Sequence, residues 1–181
     1  MNVMTPESYK DEGLRLFQRG EYEEALATFS TAVSAYAAED NPTGQAEMYN
    51  NIGVIHRLRG RHDEALQALN NAQAFCAAAG DDNRRAQVLG NMGDLYKDRG
   101  DQDQAARYYS DAAALFAQTG DREKQSQVLR SLSLMRMRQG GWYEAMLRMK
   151  ESLTVKPHRG LFGSIFLAML RFSLRLFGAV D

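Results

Sequence analysis

Glycine returns every 40 residues along this chain, at Gly20, Gly60, Gly100 and Gly140, and other residues keep step with it. Ala25, Ala65, Ala105 and Ala145 share one phase; Gly13, Gly53, Gly93 and Ser133 share another. This beat constrains the fold more than any other property of the sequence. Repeats of about 20–50 residues stack into solenoids, in which each unit buries its apolar face only against its neighbours. Such a chain usually works through an extended surface, not an enclosed pocket.

The second copy shows how one unit is built. Tyr49, Ile52, Gly53, His56 and Leu58 mark one stripe of a helix. Gly60 then supplies the permissive backbone that a tight turn between helices needs. A second helix begins near His62-Asp63-Glu64, where acidic side chains suit the positive end of the helix dipole. Its buried stripe is Ala65, Leu66, Leu69, Ala72 and Phe75. Gly80-Asp81 closes the copy, the glycine able to go left-handed and the aspartate able to cap the next helix.

The first copy reads the same way through Tyr9, Gly13, Leu16 and Phe17, then Ala25, Leu26, Phe29, Ala32 and Tyr36. The third does so through Leu89, Met92, Gly93 and Tyr96, then Ala105, Tyr109, Ala112 and Phe116. The fourth, with Leu129, Leu132, Ser133, Ala145, Met149 and Ser152, is the most worn. A glycine inside a helix costs about 1 kcal/mol relative to alanine. Its return in three copies therefore predicts that two helices approach closely there, with Gly53 on one and Ala65 on the other. Only three prolines interrupt the chain, so helix is favoured almost throughout.

This pattern closely resembles the tetratricopeptide repeat, W-x2-L-G-x2-Y followed by A-x3-F and further small residues. Ile52-Gly53…His56 and Met92-Gly93…Tyr96 match the first part, and Ala65…Leu69…Ala72 and Ala105…Tyr109…Ala112 the second. The resemblance covers residues 5–157. The family's basic period is about 34 residues, so the copies here resemble its long-helix variety. Pro157 stands where the family's closing proline belongs. The resemblance implies an all-α, right-handed solenoid of four antiparallel helix pairs, over about 5–41, 42–81, 82–121 and 122–157. A domain over 1–157 would then be followed by a C-terminal helix within 158–181.

The resemblance also implies a function: the first helix of each pair lines a concave groove that holds an extended peptide or a helix. The groove-facing residues would include Asn50, Asn51, Arg57, Asn91, Asp94, Lys97, Arg130, Leu134 and Arg138. Asn51 and Asn91 match the family's ligand-gripping asparagine, and an amide offers both donor and acceptor to a peptide unit. The plainer alternative is that these asparagines are solvated or bonded locally. In the fourth copy Ser131 replaces that asparagine, and Leu134 and Met137 make the C-terminal end of the groove apolar. The basic set that clamps C-terminal carboxylates in some relatives is only partly in place, with Gly90 at one of its positions.

After residue 160 the composition changes. Leu161 to Val180 is almost wholly apolar, with Ser164, Ala168, Arg171, Arg175 and Gly178 forming a narrow small-and-polar stripe. It does not read as a membrane span: its apolar residues contribute roughly −5 kcal/mol, while two arginines cost roughly +5 to +7. Three readings stay open. The segment could cap the fourth repeat, although caps usually turn a polar face outward. It could fill a groove, its own or that of another copy, giving autoinhibition or a dimer. It could lie on an anionic membrane, helped by Lys156, Arg159, Arg171 and Arg175. Phe162, Phe166, Leu170, Arg171 and Arg175 are its candidate interaction residues.

Charge is uneven. Residues 1–44 carry eight acidic and three basic side chains, whereas 122–181 carry four acidic and eleven basic. The imbalance could steer partners, favour head-to-tail contacts or merely solvate the surface. Cys76 is the only cysteine, and residues 1–7 carry no secretory signature; both fit a cytoplasmic protein, peripherally membrane-associated at most.

Nothing in the sequence suggests catalysis, a cofactor or a small-molecule substrate. His56, His62 and His158 lack acidic neighbours at ligand spacing, and no phosphate loop or nucleophile motif occurs. Arg99-Gly100-Asp101 is the ordinary turn of the third copy, and no aromatic-basic groove suggests nucleic acid. Trp142 reads as a packing residue. The expectation is a non-enzymatic interaction adaptor or assembly factor, with a membrane-associated or self-assembling structural protein as the alternative.

Overall fold

A computed structural model describes residues 5–176 except 139, 157 and 159. Pro157, Arg159 and Gly178, singled out above, lie outside the described residues. Four antiparallel helix pairs follow one another: α1 (Pro6–Gln18) with α2 (Tyr22–Ala38), α3 (Pro42–Leu58) with α4 (His62–Ala79), α5 (Asp82–Asp98) with α6 (Gln102–Thr119), and α7 (Arg122–Arg138) with α8 (Trp142–Val155). A last helix, α9 (Leu161–Leu176), packs on α8. Each helix touches the next, and α3 also meets α5, so successive first helices lie side by side.

The first helix of every pair begins on a side chain that accepts from the backbone N–H three residues on. Thr5, Asn41, Asp81 and Asp121 do this for α1, α3, α5 and α7, bonding the N–H of Ser8, Gly44, Arg84 and Lys124. The turn within each pair is left-handed at glycine, for example φ +71° at Gly60. Between pairs the same conformation recurs at Gly80 and Gly120, but Asp40 adopts it in the first such turn, at φ 51°.

The repeated small residues have the packing role that their phase suggested. Ala25, Ala65, Ala105 and Ala145 are all buried. A Cβ at Gly53 would stand 2.7 Å from Leu69 Cγ, and one at Gly93 2.7 Å from the Tyr109 ring. In the fourth pair Ser133 occupies this site and keeps its Cβ by donating its hydroxyl to the Ala145 carbonyl at 2.7 Å.

Leu58 and Trp142 are exposed, the second against expectation. Leu58, at the end of its stripe, is 50% exposed, because α3 runs out there into the exposed Arg59-Gly60 turn, and the apolar face ends with Met48, Ile52 and Ile55. Trp142 is not packed away: it opens α8 at the edge of the fourth pair and stays 63% exposed. Phe75 is only partly covered and stacks on Tyr49 at 5.6 Å, while Cys76 takes the buried place.

Candidate functional site

Polar residues on the first helices face one another across the stack. Asn91 donates to Asn50 at 2.7 Å, Arg57 pairs with Asp98 at 2.7 Å, and Lys124 donates to Asn83 at 3.1 Å. In each case the partners are 41 residues apart, one period plus one residue. Adjacent first helices are therefore offset by one position, and their polar faces form rungs. Glu47 adds ion pairs at another spacing, with Lys10 on one side and Arg84 on the other.

Three depressions open between these rungs. The first lies between α3 and α5, about 380 Å³, and is lined by Asn50, Asn51, Asn83, Gln87 and Lys124 among others. The second lies between α5 and α7, about 300 Å³, with Gln87, Asn91, Asp94, Lys124, Gln127 and Ser131 in its wall. The third, about 320 Å³, has Lys97, Gln102, Ser131, Leu134, Met135 and Arg138. Gln87 and Lys124 belong to the first two, and Ser131 to the last two, so the depressions join into one furrow along the first helices.

Most of the residues picked from the sequence lie along this furrow: Asn50, Asn51, Asn91, Asp94, Lys97, Leu134 and Arg138. Two do not line it. Arg57 is held by Asp98, and Arg130 lines a further depression with Met149, Lys156 and Phe166, which meets the second one at Gln127. The furrow is also less free than its sequence suggested. Asp94 accepts from Lys97 at 2.5 Å and from the buried Tyr109 hydroxyl at 2.6 Å. Burial, with the bond to Asp94 added, raises the Tyr109 pKa, so that hydroxyl stays a donor. Lys124 lies over the Phe116 ring at 5.8 Å.

Gln87 and Gln127 were missed, although their signal was present. They stand at one phase of the repeat, together with Glu47, one helical turn before Asn51, Asn91 and Ser131. Cys76 borders the first depression but is buried; desolvation, with Asp81 nearby, pushes its thiol up to about 11, away from thiolate chemistry. Among the described residues, no three His, Cys, Asp or Glu side chains gather as a metal site.

α9 lines none of these three depressions. It rests on α8 through Leu167, Leu170 and Leu174. Leu170, one of the candidate interaction residues, is buried on the face of α9 that meets α8. Phe162, Phe166, Arg171 and Arg175 are exposed, and no described helix is long and apolar enough to cross a membrane.

The sequence model of the tetratricopeptide repeat matches residues 13–70 and 44–118. Among solved structures, BtubC (BKLC) from P. vanneervenii aligns with a TM-score of 0.73 at 18% identity, over 88% of this chain and 71% of that one. A signal transduction ATPase with numerous domains from Pyrococcus horikoshii, which carries a tetratricopeptide repeat sensor, aligns with a TM-score of 0.76 at 15% identity. That match covers 96% of this chain but 27% of the ATPase. At these identities the likeness concerns the fold. No curated protein matches the sequence.

Proposed function

The chain belongs to the tetratricopeptide-repeat family, and we propose that it is a non-enzymatic adaptor whose furrow along α3, α5 and α7 holds a segment of another protein. The observation that carries this reading is the continuity of the three depressions through Gln87, Lys124 and Ser131. Amides from Asn51, Gln87, Asn91 and Gln127 punctuate the furrow, and each can both donate to and accept from a peptide backbone. An extended segment suits such spaced polar groups, which fix register without demanding one side chain.

The far end of the furrow bears on the ligand's polarity. The one-period-plus-one offset that matches Arg57 with Asp98 would match Lys97 with Arg138 one repeat later. A cation–anion rung becomes two cations in a depression that also holds Leu134 and Met135. A ligand with an acidic residue beside an apolar one complements that end.

A peptide library displayed against the full chain tests the proposal. Selected binders should be enriched in acidic-apolar pairs, and amide exchange should slow on α3, α5 and α7 when they bind. Replacing Asn51 and Gln127 together by alanine should weaken binding about tenfold, two lost hydrogen bonds at roughly 0.5–1.5 kcal/mol each. Protection confined to α2, α4 and α6 would sink the proposal.

A further inference from the structure

α9 turns the wrong face outward for a cap. Its buried residues, Leu167, Leu170 and Leu174, form one stripe against α8. Leu161, Ile165, Met169, Phe172 and Leu176 recur at helical spacing on the opposite side, and all are at least half exposed. Phe162, 86% exposed, and Phe166 widen this face. An apolar face this continuous on a protein surface marks a contact, since scattered exposed residues would not align.

The charges around it narrow the occupant. From Ser152 to Leu176 the sequence contains no aspartate or glutamate, but has Lys156, Arg159, Arg171 and Arg175. On α9 itself, Arg171 and Arg175 lie with Ser164 and Ala168 along the border between the α8-facing stripe and the exposed apolar face. Long basic side chains in that position can reach sideways while the apolar face is buried. A second copy packed through the same face would set together two helices that each carry Arg171 and Arg175 and, in sequence, no aspartate or glutamate. An anionic lipid surface takes up the apolar side chains and the positive charges together.

We propose that α9 is an interfacial membrane helix: it lies flat on an anionic bilayer with Ile165, Met169, Phe172 and Leu176 inserted. Leu167, Leu170 and Leu174 keep it fastened to α8, so the whole solenoid is carried to the membrane. The furrow on α3, α5 and α7 shares no residue with this face, so the proposal stands or falls independently of peptide binding.

The full chain should sediment with vesicles of equal parts phosphatidylcholine and phosphatidylglycerol, and at least ten times less with phosphatidylcholine alone. Salt should weaken the association. Trp142, the chain's only tryptophan, shares a small apolar pocket with Phe166 and Leu170 and reports the docking as a fluorescence change. Ile165→Ser with Met169→Ser, both at exposed positions, should reduce binding at least tenfold while leaving helicity unchanged. Lys156→Gln with Arg171→Gln should reduce it about fivefold for each charge, from about 1 kcal/mol per basic residue at an anionic surface. Equal binding to both vesicles, or binding to neither, would overturn the proposal. So would a lipid-free dimer in sedimentation velocity that the Ile165→Ser/Met169→Ser pair dissolves, which would identify a second copy as the occupant.

Discussion

The central pairs, α3–α4 and α5–α6, and the C-terminal end, α7–α8 with α9, are built from one repeat but stabilised differently. In the centre the small position is glycine and the partner is a large side chain, Leu69 or Tyr109, pressed against bare backbone. At the end the same position is Ser133, and further hydroxyls enter the core: Ser152 donates to the Ser126 carbonyl at 2.7 Å, and the two hydroxyls meet at 3.0 Å. The centre relies on shape, which tolerates little change, whereas the end relies on buried hydrogen bonds, each of small net worth. The furrow crosses both regions, with α3 and α5 in the former and α7 in the latter. The end carries a helix whose outer face is apolar and exposed.

The sharpest way to break this contrast is to fill the glycine sites. Gly93→Val should cost about 2–3 kcal/mol, since the added atoms meet a Tyr109 ring that Asp94 holds by its hydroxyl. Urea titration would register this as a lower midpoint at unchanged slope. Should Gly93→Val instead stabilise the protein, the ring yields and glycine is not a packing device.

At the other end the two hydroxyls should count unequally. Ser152→Ala should cost about 1–2 kcal/mol, since it removes both the bond to the Ser126 carbonyl and the meeting of the two hydroxyls, whereas Ser126→Ala, which keeps the carbonyl bond, should cost about 0.5 kcal/mol. Thermal melts of the two variants decide it; equal losses for both would mean that packing, not hydrogen bonding, governs both regions.

A smaller effect concerns the caps. Burial opposes the charge on Asp81 and Asp121, yet backbone N–H bonds and the cations of Arg84 and Lys124 outweigh it, holding both carboxyls below their ordinary 3.8. Their folded pKa values are depressed, so the stability they add is fully present above 3.8 and is lost as pH falls through the folded values. Asp81→Ala should cost about 1 kcal/mol near neutrality, and the difference from the parent protein should shrink below that pH. An undiminished gap in acid would mean that the charge plays no part.

Much of the scaffold was legible because it is local. A helix start needs a capping side chain, a tight turn needs a residue that tolerates positive φ, and both recur at fixed phase, so Asp81, Gly60 and Ala65 could be read directly. Trp142 misled because its exposure depends on where a helix begins relative to its neighbour, which no single stripe reveals. In the furrow, the family resemblance singled out Asn51 and Asn91. It did not disclose that Asn91 is tied to Asn50, that Arg57 is held by Asp98, or that Gln87 joins two depressions.

The 40-residue beat by itself determined that this chain stacks helix pairs, since period and small residues act between neighbours in sequence. Only the tertiary structure decided the one-residue offset between first helices and which face of α9 turns outward. Those depend on how whole helices settle against one another, an outcome of summed packing that no single residue carries.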